Sequence, residues 1–184
     1  MAQKAFFFDM TECTGCKCCQ VACKDKNDLD IGYFYREALD YEGNEFPAVW
    51  SATVSMACNH CDDPLCVSSC PVGALYKEEE FGLVIQDHDA CIGCQSCVNT
   101  CPYGAPTYFP EENKSGKCDG CIDWLKNGLE PACSGTCSTR CLTFDNAEDI
   151  RSQYGDRVVQ DITPLPSSTD TGPNFYIIPK PEMV

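Results

Sequence analysis

The chain has 184 residues, 18 of them cysteine, and a formal net charge of −15 at pH 7. Apolar residues make up 43%, but setting the cysteines aside leaves about a third of the chain for an oily core, so something besides apolar burial must hold it. A chain this acidic offers no footprint for nucleic acid or an anionic membrane surface. No stretch approaches the roughly 18 apolar residues of a membrane span, and MAQKAFFFDM at the start has neither the apolar length nor the cleavage site of a signal peptide.

In chain order, Lys4 to Asp9 reads as a short strand with Phe6, Phe7 and Phe8 as core candidates. Cys13, Cys16, Cys19 and Cys23 follow, spaced C-x2-C-x2-C-x3-C. A two-residue gap lets a tight loop wrap one corner of an iron–sulfur cube, so that three thiolates reach three irons. The fourth cysteine lies past a helical turn and points to a second cluster. That turn is expected from Cys19 to Lys26, and the surplus Cys18 is expected to be a buried free thiol. Asp28 to Phe46, with Tyr33, Phe34, Tyr35 and Arg36, looks like an excursion whose aromatics cover a cluster, with a turn at Glu42 to Glu45.

Val49 to Met56 is strand-like and leads into Cys58, Cys61, Cys66 and Cys70, with Pro71 behind the last. His60, inside that set, is expected at the surface or behind the ligands. Ala74 to Lys77 and Leu83 to Asp87 suggest a hairpin across Glu78 to Gly82. Cys91, Cys94, Cys97, Cys101 and Pro102 then repeat the spacing of bacterial ferredoxins, with Gly93 where a Cβ would crowd the sulfides. Pro102 to Pro110 reads as a turn and short strand, and Ile122 to Leu125 as a helical turn inside the last set, Cys118, Cys121, Cys133 and Cys137. Cys141 is surplus and is the stand-in for Cys137, which has Ser138 where proline follows two of the other fourth cysteines. A helix is expected at Ala147 to Tyr154, a loop at Thr163 to Pro173, and a terminal strand or docking arm at Phe175 to Ile178.

Cysteines two residues apart are poorly placed to pair with each other, which argues against a disulfide framework, and four sets of four argue against zinc ribbons. The ferredoxin crossing rule groups Cys13, Cys16 and Cys19 with Cys137, and Cys118, Cys121 and Cys133 with Cys23. It likewise groups Cys58, Cys61 and Cys66 with Cys101, and Cys91, Cys94 and Cys97 with Cys70. The expected fold is α+β: two ferredoxin-like two-cluster units joined by short β-hairpins, short helices and long loops. The inner unit, 58–110, is inserted in an outer one, 1–57 plus 111–145, and 146–184 forms a C-terminal, partner-docking extension. Lys17, Lys24, Lys26, Lys117, Lys126 and Arg140 crowd the outer unit in sequence, whereas Asp62 and Asp63 flank the second set. Coulombic reasoning therefore predicts higher potentials for the outer clusters than for the one beside the two aspartates.

The whole pattern, with C-N-H-C-D-D-P-L-C, C-I-G-C-Q-S-C-V-N-T-C-P-Y-G-A-P, K-C-D-G-C-I-D-W and the tail T-G-P-N-F-Y-I-I, resembles the iron–sulfur electron-transfer subunit of molybdopterin oxidoreductases, of the dimethyl sulfoxide, polysulfide and thiosulfate reductase type. The resemblance implies four [4Fe–4S] clusters in a line, with no pterin and no metal but iron on this chain. It implies a large catalytic partner carrying molybdenum or tungsten bis-pterin, and a membrane quinol-oxidising subunit or a soluble donor. The chain would then be no enzyme by itself, and would either stay cytoplasmic or be exported folded with a signal-bearing partner. The alternatives are a free-standing polyferredoxin shuttle and a scaffold with inert clusters. No nucleophile, phosphate loop or paired carboxylate motif stands out, and the acidic runs Glu78 to Glu80 and Glu111 to Glu112 read as solvated faces.

Overall fold

The structure is a computed structural model that describes residues 3–184. In chain order it contains β1 (Lys4–Asp9), α1 (Cys18–Lys26), β2 (Glu37–Gly43), β3 (Trp50–Met56), α2 (Leu65–Ser68), β4 (Leu75–Lys77), β5 (Val84–Gln86) and α3 (Ser96–Thr100). There follow β6 (Thr107–Phe109), β7 (Lys114–Gly116), α4 (Ile122–Leu125), α5 (Ala132–Gly135), β8 (Leu142–Asn146), α6 (Ala147–Tyr154) and β9 (Phe175–Ile178). This is a small α+β fold of short elements. Among the described residues no helix is long and apolar enough to cross a membrane.

The frame is a three-stranded sheet in the order β8-β1-β9, with β8 antiparallel and β9 parallel to β1. Side chains alternate faces along a strand, and β1 uses both. Phe6 and Phe8 enter a core that also contains Met10, Val54, Ile177 and the buried sulfurs of Cys58, Cys118, Cys133, Cys137 and Cys141. Ala5 and Phe7 face the other way, onto Ala147 and Ile150 of α6, and Phe7 stacks on Tyr154 at 4.1 Å. β9 repeats the division, with Phe175 and Ile177 on the sulfur side and Tyr176 and Ile178 on the α6 side. Of the two expectations for Phe175–Ile178, the strand is what forms: all four residues are buried against β1, so their apolar surface is covered within the chain.

The remaining strands make three antiparallel hairpins, β2-β3, β4-β5 and β6-β7. The β4-β5 hairpin, α4 and α6 fall where spacing and turn chemistry put them, and Glu78 closes its hairpin by accepting from the amides of Glu80 (2.6 Å) and Phe81 (2.9 Å). The region expected to be an excursion instead contains strand β2, in register with β3 from Glu37↔Met56 to Gly43↔Trp50. Its sequence, EALDYEG, is too polar to advertise a strand, because only Ala38 is buried. The backbone ladder with β3 supplies what apolar patterning does not. Replacing Ile177, fully buried between β1 and the sulfur core, with alanine should cost about 2–5 kcal/mol, read as a lowered denaturation midpoint.

Candidate metal centres

Each cysteine set combines a loop with a short helix, four or five residues long in three sets and nine in the first. The residue before the second cysteine is left-handed in all four: Gly15 (φ 68°), His60 (φ 46°), Gly93 (φ 69°) and Gly120 (φ 70°). This turn aims backbone amides at the first sulfur, with Gly15 N–H donating to Cys13 Sγ at 3.5 Å and Gly120 N–H to Cys118 Sγ at 3.4 Å. At Gly93 a Cβ would collide with the Asn113 carbonyl oxygen, so glycine is required by both φ and space. A second left-handed residue, Lys17 or Gln95, starts α1 or α3.

Those helices explain the three-residue gap. Cys19 and Cys23 on α1 stand four residues apart, a rise of about 6 Å along the axis. Cys66/Cys70, Cys97/Cys101 and Cys133/Cys137 share that spacing, so each helical turn hands the chain from one sulfur group to the next. The helices pack in two equivalent pairs, α1 on α5 and α2 on α3.

Four groups of sulfurs result. Cys13, Cys16, Cys19 and Cys137 line one cavity, together with Cys141. Cys91, Cys94, Cys97 and Cys70 line another. Cys58, Cys61, Cys66 and Cys101 are mutual electrostatic neighbours, as are Cys23, Cys118, Cys121 and Cys133. The groups adjoin in a series. Cys97 and Cys66 share one apolar cluster; Cys58, Cys118, Cys133 and Cys137 share another, with Cys13 and Cys19 packed against it; and, beyond burial, Cys23 and Cys58 raise the Cys118 thiol as Cys133 raises that of Cys19. Cys94 and Cys16, at the two ends, are exposed.

The donor set is soft and uniform, as iron–sulfur ligation demands. Among the described residues no three cysteine, histidine or carboxylate groups converge as they would on a lone ion; the sulfurs of the two end groups stand around cavities. Burial pushes the thiols of Cys23 and Cys66 up to about 12 and those of Cys61 and Cys121 up to about 11. Burial alone therefore favours the protonated thiol, and bound iron reverses that preference. Near the exposed ends, donors pull the other way: Cys18 lowers the Cys16 thiol, and Ser96 lowers Cys94. Two buried hydroxyls reach ligand sulfurs, Ser55 Oγ at 3.3 Å from Cys19 Sγ and Ser115 Oγ at 3.3 Å from Cys97 Sγ.

The surplus thiols behave differently from each other. Cys18, expected to be buried, is exposed, because the left-handed turn at Lys17 points the first residue of α1 outward and turns Cys19 inward. Cys141 is buried with its sulfur 3.5 Å from Cys137 Sγ. Interaction with Cys141 pulls the Cys13 thiol down to about 6, and Cys13 in turn raises the Cys141 thiol.

Several groups that tune the site are not legible from the residues alone. Of the two places expected for His60, the one behind the cysteines is what forms: it is buried, accepting from the Val84 amide on Nδ1 at 3.1 Å, a partner the residues alone do not reveal, which leaves the ring proton on Nε2, 3.9 Å from Cys118 Sγ. Burial, then the charges of Lys117, Lys77 and Arg36, hold its pKa well below the usual imidazole value, so it is a neutral donor. One signal is present in the sequence: His60 holds the place that glycine takes in the other three sets. Lys117, counted with the outer unit, is buried, donating to the carbonyls of Cys118 and Val84, and its charge acts on Cys66 of the inner group as well. Asp62 is matched by Lys77 at 3.3 Å, while Lys17, Lys26 and Arg140 are paired with Asp40, Asp123 and Glu130. The Coulombic contrast read from the sequence thus loses most of its carriers. Arg36 is buried among the sulfurs.

Glycine-turned loops, amide-to-sulfur hydrogen bonds and paired helices handing cysteines between neighbouring groups define an iron–sulfur protein of the multi-cluster ferredoxin class. Residues 49–147 match the family model of the 4Fe-4S dicluster domain. The chain is 42% identical to the probable anaerobic dimethyl sulfoxide reductase subunit YnfG of Escherichia coli (strain K12), covering 96% of this chain and 89% of that one. It is 41% identical to the B subunit of the anaerobic dimethyl sulfoxide reductase of the same organism over the same shares. It is 38% identical to the corresponding B subunit of Haemophilus influenzae, covering 97% and 90%. The chain therefore belongs to the 4Fe-4S dicluster family, among the iron–sulfur subunits of the dimethyl sulfoxide reductase type.

His60 offers a direct check on its turn. His60→Ala removes the acceptor of the Val84 amide, at a cost of about 1–3 kcal/mol. His60→Gly loses the same bond but relieves the positive φ, so it should be the more stable of the two by about 1 kcal/mol, read from the thermal midpoints of variants prepared alike.

Proposed function

We propose that this chain is the electron-transfer subunit of a molybdopterin oxidoreductase complex, carrying four [4Fe–4S] clusters and no catalytic site of its own. The observation that carries the reading is the series of four sulfur groups, each adjoining the next and ending in one exposed ligand at either side. Cys13, Cys16, Cys19 and Cys137 would hold the cluster at one end. Next come Cys118, Cys121, Cys133 and Cys23, then Cys58, Cys61, Cys66 and Cys101, and at the other end Cys91, Cys94, Cys97 and Cys70. Bound there, each cluster supplies reversible one-electron chemistry.

The chain's own residues fix the spacing of these groups, keep water from the middle two, and donate hydrogen bonds to the sulfurs. The packing of α1 on α5 and of α2 on α3 supports the reading of two nested two-cluster units, an inner 58–110 within an outer 1–57 plus 111–145. For the ends, the reading assigns Cys16 and Cys94 as the ports of entry and exit. The relatives named as reductase B subunits support a large catalytic partner bearing a molybdenum or tungsten pterin at one port, and a membrane quinol-oxidising subunit or a soluble donor at the other. The region 146–184 is then available to that partner chiefly through its polar loop, because β9 is engaged by β1.

Anaerobically prepared protein should contain about sixteen iron and sixteen sulfide per chain and should co-purify with a larger pterin-bearing polypeptide. Far less iron, or a chain that always purifies alone, would overturn the corresponding half of this reading. Gly93→Ala, which drives a Cβ onto the Asn113 carbonyl, should lower bound iron by about four per chain, with the loss confined to the cluster of Cys91, Cys94, Cys97 and Cys70 in the EPR spectrum.

A further inference from the structure

Arg36 is 1% exposed, yet it carries a full guanidinium charge into the sulfur core. Its Nη1 donates to the Ser55 carbonyl at 2.9 Å and to Ser55 Oγ at 3.0 Å, and its carbon centre lies 4.2 Å over the Phe6 ring. Its Nε and Nη2 are buried with no hydrogen-bond partner. Among the described residues the ion pairs engage lysines and Arg140, and no carboxylate reaches Arg36. A buried cation without a counter-ion is costly enough that a structure keeps one only where something answers the charge. The charges that act on it are those of sulfurs, Cys133, Cys118, Cys19 and Cys23, drawn from two adjacent cysteine sets, and the Phe6 ring beneath it lies in the same core as Cys118 and Cys133. Ser55 extends the contact, since the same hydroxyl that accepts from Arg36 lies against Cys19 Sγ.

We propose that Arg36 is the shared counter-cation of the two clusters of the outer unit, fixing their charge and raising their reduction potentials relative to the inner two. The inference rests on the four-cluster reading and deepens it. A four-iron cluster with its thiolates is a net anion that gains one further negative charge on reduction, so a fixed positive charge between two of them favours the reduced form of both. The Nε and Nη2 donate to no cysteine sulfur and so are left as donors for the clusters themselves, and hydrogen bonding is a lever known to set such potentials. Lys117, a second buried cation, donates to the Cys118 and Val84 carbonyls and also acts on Cys66, so its charge is common to both units and is left in place by a substitution at Arg36.

The test is potentiometric EPR on the assembled complex with Arg36→Gln and Arg36→Lys. In Arg36→Gln, reduction of the clusters on Cys13/Cys16/Cys19/Cys137 and Cys118/Cys121/Cys133/Cys23 should become harder by at least tenfold in equilibrium constant, about 59 mV for one electron. The other two should move less than half as far, and Arg36→Lys should restore most of the shift. Unmoved potentials, an equal shift of all four, or a lysine variant no better than glutamine would overturn the proposal. If Arg36→Gln loses iron, the charge role requires Arg36→Lys to retain it, and equal loss in both overturns the proposal as well. Iron in the unmodified protein is counted first: a shortfall there overturns the four-cluster reading together with this inference, whereas a full complement with unmoved potentials overturns the inference alone.

Discussion

Thiolate sulfur bound to iron is charged, and half of the eighteen cysteines here are buried. The rest of the structure follows from the need to satisfy that charge without water. Backbone amides in left-handed turns, hydroxyls at Ser55 and Ser115, a neutral imidazole at Cys118 and a guanidinium among four cysteines all aim donors inward. Each is a polar group that would be expensive to bury for its own sake. Their convergence marks the sulfur groups more clearly than any apolar pattern does.

The sheet has a different task. β1 is buried on both faces, and its alternation divides the interior into a sulfur side and an α6 side. Only the first of these carries chemistry. The second anchors the strand, so that the loop beginning just after it holds Cys13 and Cys16 in fixed relation to Cys137 and Cys141, which border β8.

The loop and helical turn within each cysteine set are local, and so they are legible in the sequence, whereas the fourth sulfur of each group arrives from another set. Gaps of two and three residues encode a loop and a helical turn whatever surrounds them, and α4, α6 and the β4-β5 hairpin can likewise be read from residues alone. What stays hidden depends on distant partners. His60 meets Val84 and Cys118 across 24 and 58 residues, and Arg36 becomes a core residue only because β2 pairs with β3 and brings Ser55 beneath it. Strand β2 leaves no apolar signature because its pairing is backbone to backbone. The exposure of Cys18 has no signature either, because one left-handed residue, Lys17, decides which of two adjacent sulfurs turns inward.

The parallel seat of β9 beside β1 carries a consequence for biosynthesis. Strand β1 leaves the ribosome long before its two neighbours, Leu142–Asn146 and Phe175–Ile178, have been made. Until then β1 is a bare apolar edge, and Cys13, Cys16 and Cys19 lack the fourth sulfur that Cys137 brings. The outer half of the molecule therefore cannot be assembled in the order in which it is translated. The nascent polypeptide must be sheltered until β8 and β9 have emerged, and only then can Cys137 join the sulfurs of Cys13, Cys16 and Cys19.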